Sequence, residues 1–372
     1  MVWIRVYLMA LLCSGVAEAA PQPPPQPSSG PGGADYRHAK VVKKVYGTGD
    51  EQYWIFTPAS PTPKSAPLIV FNHGWSATNP KFYGAWIDHI VRRGNIVIFP
   101  RYQADLRTPT KEFTPNAMKA VKEAIRRLRS TRTVQPELDK FAIVGHSVGG
   151  ILTANMAALA HSWGFPEPKA ILSVQPGNSW KKSQRIAIPI EDLSQIPSTA
   201  LLICVVGDTD RIVRDIDAKR IFYETPQISL THKDFVILMS DNHGDPPLRG
   251  SHYAPAAVDE DYDSGERQQR SNRKALFRLF LKRRIQSKIR EQSRHSGFPP
   301  LFSSGLSKEE ISAKSVNALD YYGTWKLSDA LCDAAFYGKN REYALGNTPQ
   351  QRFMGRWSDG IPVKELQVTD NP

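Results

Sequence analysis

The chain has 372 residues, of which 41% are hydrophobic and 23% charged, and its formal net charge is +12. That length and apolar content suit a globular protein with a sizeable core, as one large domain or two small ones. The charge is concentrated: Glu266 to His295 holds eleven Lys or Arg against two Glu, a net of +9, so a uniformly basic body is excluded.

At the N-terminus, Arg5 precedes an apolar run, Val6 to Cys13, and Ala17-Glu18-Ala19 offers a small-x-small cleavage site. This reads as a secretory signal over residues 1–20. Its apolar run is too short to span a bilayer, and Leu11-Leu12 before Cys13 is a poor lipoprotein context, so soluble export, secreted or periplasmic, is expected. Cys204 and Cys332 then remain, too few for a disulfide framework, and both read as buried thiols. Residues 21–35 are rich in Pro, Gly and Ser without apolar periodicity, which predicts a disordered or polyproline-like spacer.

From Val41 to Phe56 two β segments flank Gly47-Thr-Gly-Asp50, a hairpin signal. Pro67 to Asn72 is a buried strand that ends at His73-Gly74-Trp75. Lys81 to Arg92 reads as a helix, Asn95 to Phe99 as a strand, and Pro115 to Ser130 as an amphipathic helix. Phe141 to Val144 is a short apolar strand, followed at once by Gly145-His-Ser147-Val-Gly149 and a helix reaching about His161. Strands at Ala170 to Val174, Ala200 to Val206 and Phe235 to Met239 follow, with a helix at Arg211 to Tyr223 between the last two. Strands apolar on both faces that alternate with helices predict an α/β architecture, a mostly parallel central sheet with helices on both faces.

Strand, G-x-S-x-G and helix in succession form a nucleophile elbow. The chain reverses within a few residues, which strains the serine backbone, and glycines on either side leave room for the turn. The helix N-terminus directs amide N–H groups and partial positive charge toward a developing oxyanion. Ser147 is the expected nucleophile.

Gly145-His-Ser-Val-Gly149, Asn72-His-Gly-Trp75, Gly207-Asp-Thr-Asp210 and the histidine-bearing stretch after the last strand together resemble the α/β-hydrolase superfamily. Within it the chain is most similar to the cutinase, polyester-hydrolase and dienelactone-hydrolase branch, over roughly residues 40 to 256 with a closing helix beyond. The resemblance implies a hydrolase domain over 36–337. It also implies the chain order Ser, Asp, His for the triad. Gly207-Asp-Thr-Asp-Arg-Ile-Val213 matches the family's acid loop with Asp210 as the acid, leaving Asp208 for a turn or cap. Two histidines compete as the base. His243 lies four residues past Met239, the strand-to-histidine distance of cutinase-like enzymes, and is preferred. His252, in Ser251-His-Tyr-Ala-Pro255, carries the local likeness to the cutinase histidine segment. Val148 and Trp75 are the implied oxyanion donors, and Tyr83, Trp86 and Trp180 the candidate walls of the substrate site.

Residues 259–313 form an insertion whose middle, Ser271 to Arg290, is a basic amphipathic helix candidate with Phe277, Leu281 and Ile285 on one face. Residues 266–295 therefore suit peripheral contact with an anionic membrane or polymer. Ser315 to Phe336 is the closing helix, and residues 338–372 are expected to strap the body. No metal-ligand spacing and no phosphate-cradling loop occurs, so no metal, organic cofactor or nucleic-acid partner is expected. The functional expectation is an exported serine hydrolase that cleaves carboxylic esters through an acyl-enzyme. A peptidase would use the same triad, and a non-catalytic hydrolase-fold protein would use the basic stretch to hold anionic envelope polymers.

Overall fold

The computed structural model describes residues 19–131, 133–180, 187–265 and 315–372. Most of the leader-like stretch 1–20 and the basic helix candidate 271–290 lie outside the described residues. The strands are β1 (Lys40–Tyr46), β2 (Tyr53–Ala59), β3 (Ser65–Asn72), β4 (Ile96–Pro100), β5 (Gln135–His146), β6 (Ala170–Val174), β7 (Leu201–Gly207), β8 (Lys233–Leu238) and β9 (Gln367–Thr369). They form one sheet in the order β1-β2-β4-β3-β5-β6-β7-β8-β9. Pairing is parallel from β4 across to β8, while β2 runs antiparallel to β1 and β4, and β9 antiparallel to β8. The predicted mostly parallel sheet is thus present.

Every residue of β4 and β6 is buried, because both faces of the sheet are covered. One face carries Leu68, Val70, Ile98 and Ile143 into a core with α2 (Phe113–Ser130), α3 (Val148–Leu159) and α4 (Ile216–Tyr223). The alternate residues Ile69, Phe71, Phe99 and Val144 pack with α1 (Gly84–Arg92) and α5 (Lys326–Tyr337) on the other. This alternation follows from the two-residue repeat of a strand. A π-helical stretch, Leu319–Trp325, leads into α5. The helix expected at Arg211 is shorter, Ile216–Tyr223, because Asp210 Oδ1 accepts the amides of Ile212 and Val213 and holds the preceding residues in a loop. Cys204 and Cys332 are both buried free thiols.

The Pro/Gly-rich stretch does not behave as the spacer expected of it. Gln22 N–H donates to Ser358 Oγ at 2.9 Å, and Tyr322 donates its hydroxyl to the Pro25 carbonyl at 3.2 Å. Gly32 N–H donates at 2.8 Å to Asp329 Oδ2 on α5. The same carboxylate oxygen receives His89 Nε2 at 2.8 Å and Arg93 Nε at 3.1 Å. Arg93 also reaches Asp35 at 2.7 Å. A segment with few apolar side chains is therefore docked by polar contacts that its own composition does not announce. The tail is tied similarly: Met354, Trp357, Val363 and Leu366 are buried, and Lys326 Nζ donates to the carbonyls of Gln351 and Phe353 at 2.7 and 2.6 Å.

Burial opposes ionisation of Asp329, but His89 and Arg93 outweigh it and hold its carboxyl below the ordinary value. Asp329→Ala removes the acceptor shared by the buried His89 ring and the part-buried Arg93, which keeps Asp35, and is expected to cost about 1–3 kcal/mol in urea unfolding at pH 7. Because the folded-state pKa is depressed, this contribution is present above about pH 4 and lost as pH falls. The gap between wild type and variant should narrow accordingly on acidification.

Candidate active site

β3 and β5 pair in parallel with Asn72 opposite Gly145, so the turn after β3 and the start of α3 lie side by side. A Cβ on Gly149 would stand 2.1 Å from the Asn72 carbonyl oxygen, and one on Gly145 would stand 2.2 Å from the Gly149 carbonyl oxygen. Only glycine permits that approach. Between them Ser147 has φ 58° and ψ −123°, a strained conformation for a residue with a side chain. Its N–H donates to the Val174 carbonyl at 2.9 Å, and its carbonyl accepts from Gly150 and Gly177 at 2.8 and 3.2 Å. The elbow is thus held from β6 as well as from its own helix.

Ser147 Oγ lies 2.9 Å from His252 Nε2, and His252 Nδ1 lies 2.7 Å from Asp210 Oδ2. All three residues are buried. The other Asp210 oxygen accepts the amides of Ile212 and Val213 at 2.9 and 3.2 Å. Burial raises the Asp210 pKa, but the facing imidazole and these amide donors prevail and hold the carboxyl below its ordinary value. An ionised Asp210 fixes a proton on Nδ1 and leaves Nε2 to accept from the serine hydroxyl.

His243, the preferred base on strand distance, is not at this point. Its Nε2 lies 2.6 Å from Asp359 Oδ2, beside the Trp357 ring, and the residue is exposed. The reason is a detour in the chain. Asp241 and Leu248 exchange two main-chain hydrogen bonds, Asp241 N–H to Leu248 O at 2.8 Å and Leu248 N–H to Asp241 O at 2.9 Å, which closes residues 241–248 into an excursion. Asp208 accepts the amide and hydroxyl of Ser240, Ser240 Oγ accepts the Gly250 amide, and Thr209 N–H donates to the Gly250 carbonyl. The chain leaves β8, runs out past His243, and returns to deliver His252 beside Asp210. The likeness of Ser251-His-Tyr-Ala-Pro255 was the signal for the histidine that meets Ser147 and Asp210, and strand distance was misleading. Asp208 works in the turn.

Two of the three candidate walls are elsewhere. Tyr83 and Trp86 are fully buried and both pack on Phe71, 5.1 Å between centroids, so they belong to the core under β3. Trp180 is 41% exposed on the loop after β6, with the Arg214 guanidinium 5.7 Å from its ring. Trp75 packs on Phe113 beside the turn after β3, and Val148 opens α3, whose first amides have no acceptor within the helix. Residues not singled out from the sequence also converge here. Gln175 Nε2 donates to the Ser251 carbonyl at 2.8 Å, and the Ser76 amide donates to Gln103 Oε1 at 2.8 Å. Among the described residues no group of three His, Cys, Asp or Glu is placed to hold a metal.

Residues 38–208 match the family model described as Chlorophyllase, an α/β-hydrolase family. The match contains the elbow and the turn after β3, and stops two residues before Asp210. No curated protein matches the chain.

His252→Ala should slow single-turnover acylation by a chromogenic ester about as much as loss of the nucleophile, because the triad acts as a unit. His243→Ala should acylate at near the wild-type rate. Circular dichroism of both variants checks that the comparison is between folded proteins.

Proposed function

The chain belongs to the α/β-hydrolase superfamily, whose chlorophyllase model covers its nucleophile elbow, and we propose that it is an exported serine hydrolase of carboxylic esters. The observation that carries this reading is the continuous chain from Ser147 Oγ through His252 to Asp210, at 2.9 and 2.7 Å. In the proposed reaction Ser147 Oγ bonds to the ester carbonyl carbon while His252 Nε2 takes its proton. Asp210 stabilises the resulting imidazolium. The amides of Val148 and Trp75 receive the oxyanion. When the tetrahedral species collapses, the carbon–alkoxy bond breaks and His252 returns its proton to the alcohol. Water, activated by the same histidine, then releases the acid from Ser147.

An apolar substrate is supported by the apolar surroundings of the three loops that carry the site. Trp75, Val213 and Tyr253 come from the turn after β3, the acid loop and the base loop, and all join one hydrophobic cluster. We therefore propose esters with an apolar acyl or alcohol part. Chlorophyll, which the matched family's name denotes, is one bulky apolar compound to try alongside soluble p-nitrophenyl esters. Export rests on the leader-like residues 1–20, and contact with an anionic surface on the charge of residues 266–295.

A fluorophosphonate probe should label the wild type covalently and leave Ser147→Ala unlabelled. The same substitution should lower ester turnover by up to about a million-fold. A wild type that takes no label would sink the enzyme reading in favour of a binding protein. Faster cleavage of a p-nitroanilide than of the matching p-nitrophenyl ester would turn the reading to a peptidase.

A further inference from the structure

His146 precedes Ser147, and its side chain is fully buried, 4.8 Å between centroids from the His252 ring. Its Nε2 lies 2.9 Å from the main-chain carbonyl of His252, and its Nδ1 lies 2.9 Å from Tyr83 Oη. The Gly74 amide donates to the same Tyr83 oxygen at 2.9 Å. His146, Tyr83 and Gly74 are all buried. A carbonyl only accepts, so His146 Nε2 carries a proton and donates it to His252 O. In a neutral ring Nδ1 is then an acceptor, and Tyr83 must donate to it. Every group has one role: Gly74 N–H to Tyr83 O–H, Tyr83 O–H to His146 Nδ1, His146 Nε2–H to His252 O.

Burial holds the His146 imidazole down to about 3, with the neighbouring His252 ring adding to the effect, so it stays neutral. Burial also pushes the Tyr83 phenol up, which keeps it a donor.

This run of bonds crosses three separate segments. Gly74 adjoins the oxyanion turn at Trp75, His146 adjoins the nucleophile, and His252 is the base. We propose that Tyr83 and His146 are positioning residues that fix the oxyanion turn and the base loop relative to Ser147, a role that rests on the serine-hydrolase reading above. Neither touches substrate. Hydrogen bonds in such a chain polarise one another, and a misplacement of about 1 Å in reacting groups slows chemistry on the order of a hundred-fold. A purely structural tyrosine or histidine would affect unfolding and leave acylation alone.

The test is a double-mutant cycle read by the rate constants of fluorophosphonate labelling and of single-turnover acylation by a chromogenic ester. Tyr83→Phe removes only a hydroxyl, so it keeps the shape of the core. Tyr83→Phe and His146→Leu should each slow both rates about ten- to a hundred-fold, with the loss in kcat and KM within about threefold of wild type. The double variant should be about as slow as the slower single one, because the two residues act through one run of bonds. His146→Gln, whose amide still donates toward the His252 carbonyl, should recover part of the rate. Wild-type rates in folded Tyr83→Phe, losses that multiply in the double variant, or a loss confined to KM would each overturn the positioning role. A wild type that takes no label would instead overturn the hydrolase reading beneath it.

Discussion

The structure depends on the close approach of one helix to the ends of two strands. Gly149 sits where a Cβ would meet the Asn72 carbonyl at 2.1 Å, and that contact locates the start of α3 against the end of β3. Ser147 takes its strained conformation because the chain must turn from β5 into α3 within this space. The small residues Ala154 and Ala157 stay buried as α3 continues against the sheet. Strain at the nucleophile persists because the surroundings determine it. The Ser147 amide is bonded to β6, its carbonyl receives two further amides, and the residue before it is held from α1's side of the sheet through Tyr83.

Around that fixed point Asp210 and His252 arrive on loops, and each loop is tied at more than one place. Asp210 is held by two amides of its own loop. The base loop is gripped by Thr209, Ser240, Gln175 and His146, all through main-chain atoms of residues 250–252. Main-chain anchoring matters because a histidine ring held only by its own side-chain bonds would swing with its loop. Loops placed by a rigid scaffold are where enzymes put chemistry. Here the scaffold extends to the neutral histidine beneath the elbow.

Away from the site a second set of polar contacts joins the chain's distant parts. Asp329 on α5 gathers Gly32 from the N-terminal stretch with His89 and Arg93 from the region of α1. Lys326, one turn earlier, holds the carbonyls of the tail. Buried charges of this kind are expensive to separate, so they specify how the two termini lie on the body. The family match covers neither α5 nor the tail.

The sequence by itself determined whatever depends on neighbours in the chain. Apolar runs of five to eight residues specified the strands, since a parallel strand covered on both faces must be apolar throughout. Gly145-His-Ser-Val-Gly149 specified the elbow, because strand, turn and helix are contiguous there. A loop pattern of seven residues singled out Asp210, the carboxylate that faces His252. What remained for the tertiary structure were choices between residues of equal local merit. His243 and His252 are both reachable from β8 on paper. Only the pairing of Asp241 with Leu248, and the grip on Gly250 from the acid loop, turn the first outward and bring the second home. Tyr83 and Trp86 have the composition of pocket walls, yet Tyr83, in the turn before α1, and Trp86, on α1, both pack on Phe71 of β3. The Pro/Gly-rich stretch has no apolar pattern of its own, and it is ordered by a carboxylate 297 residues further on. Such contacts join segments far apart in the chain, so no local window of sequence contains both partners.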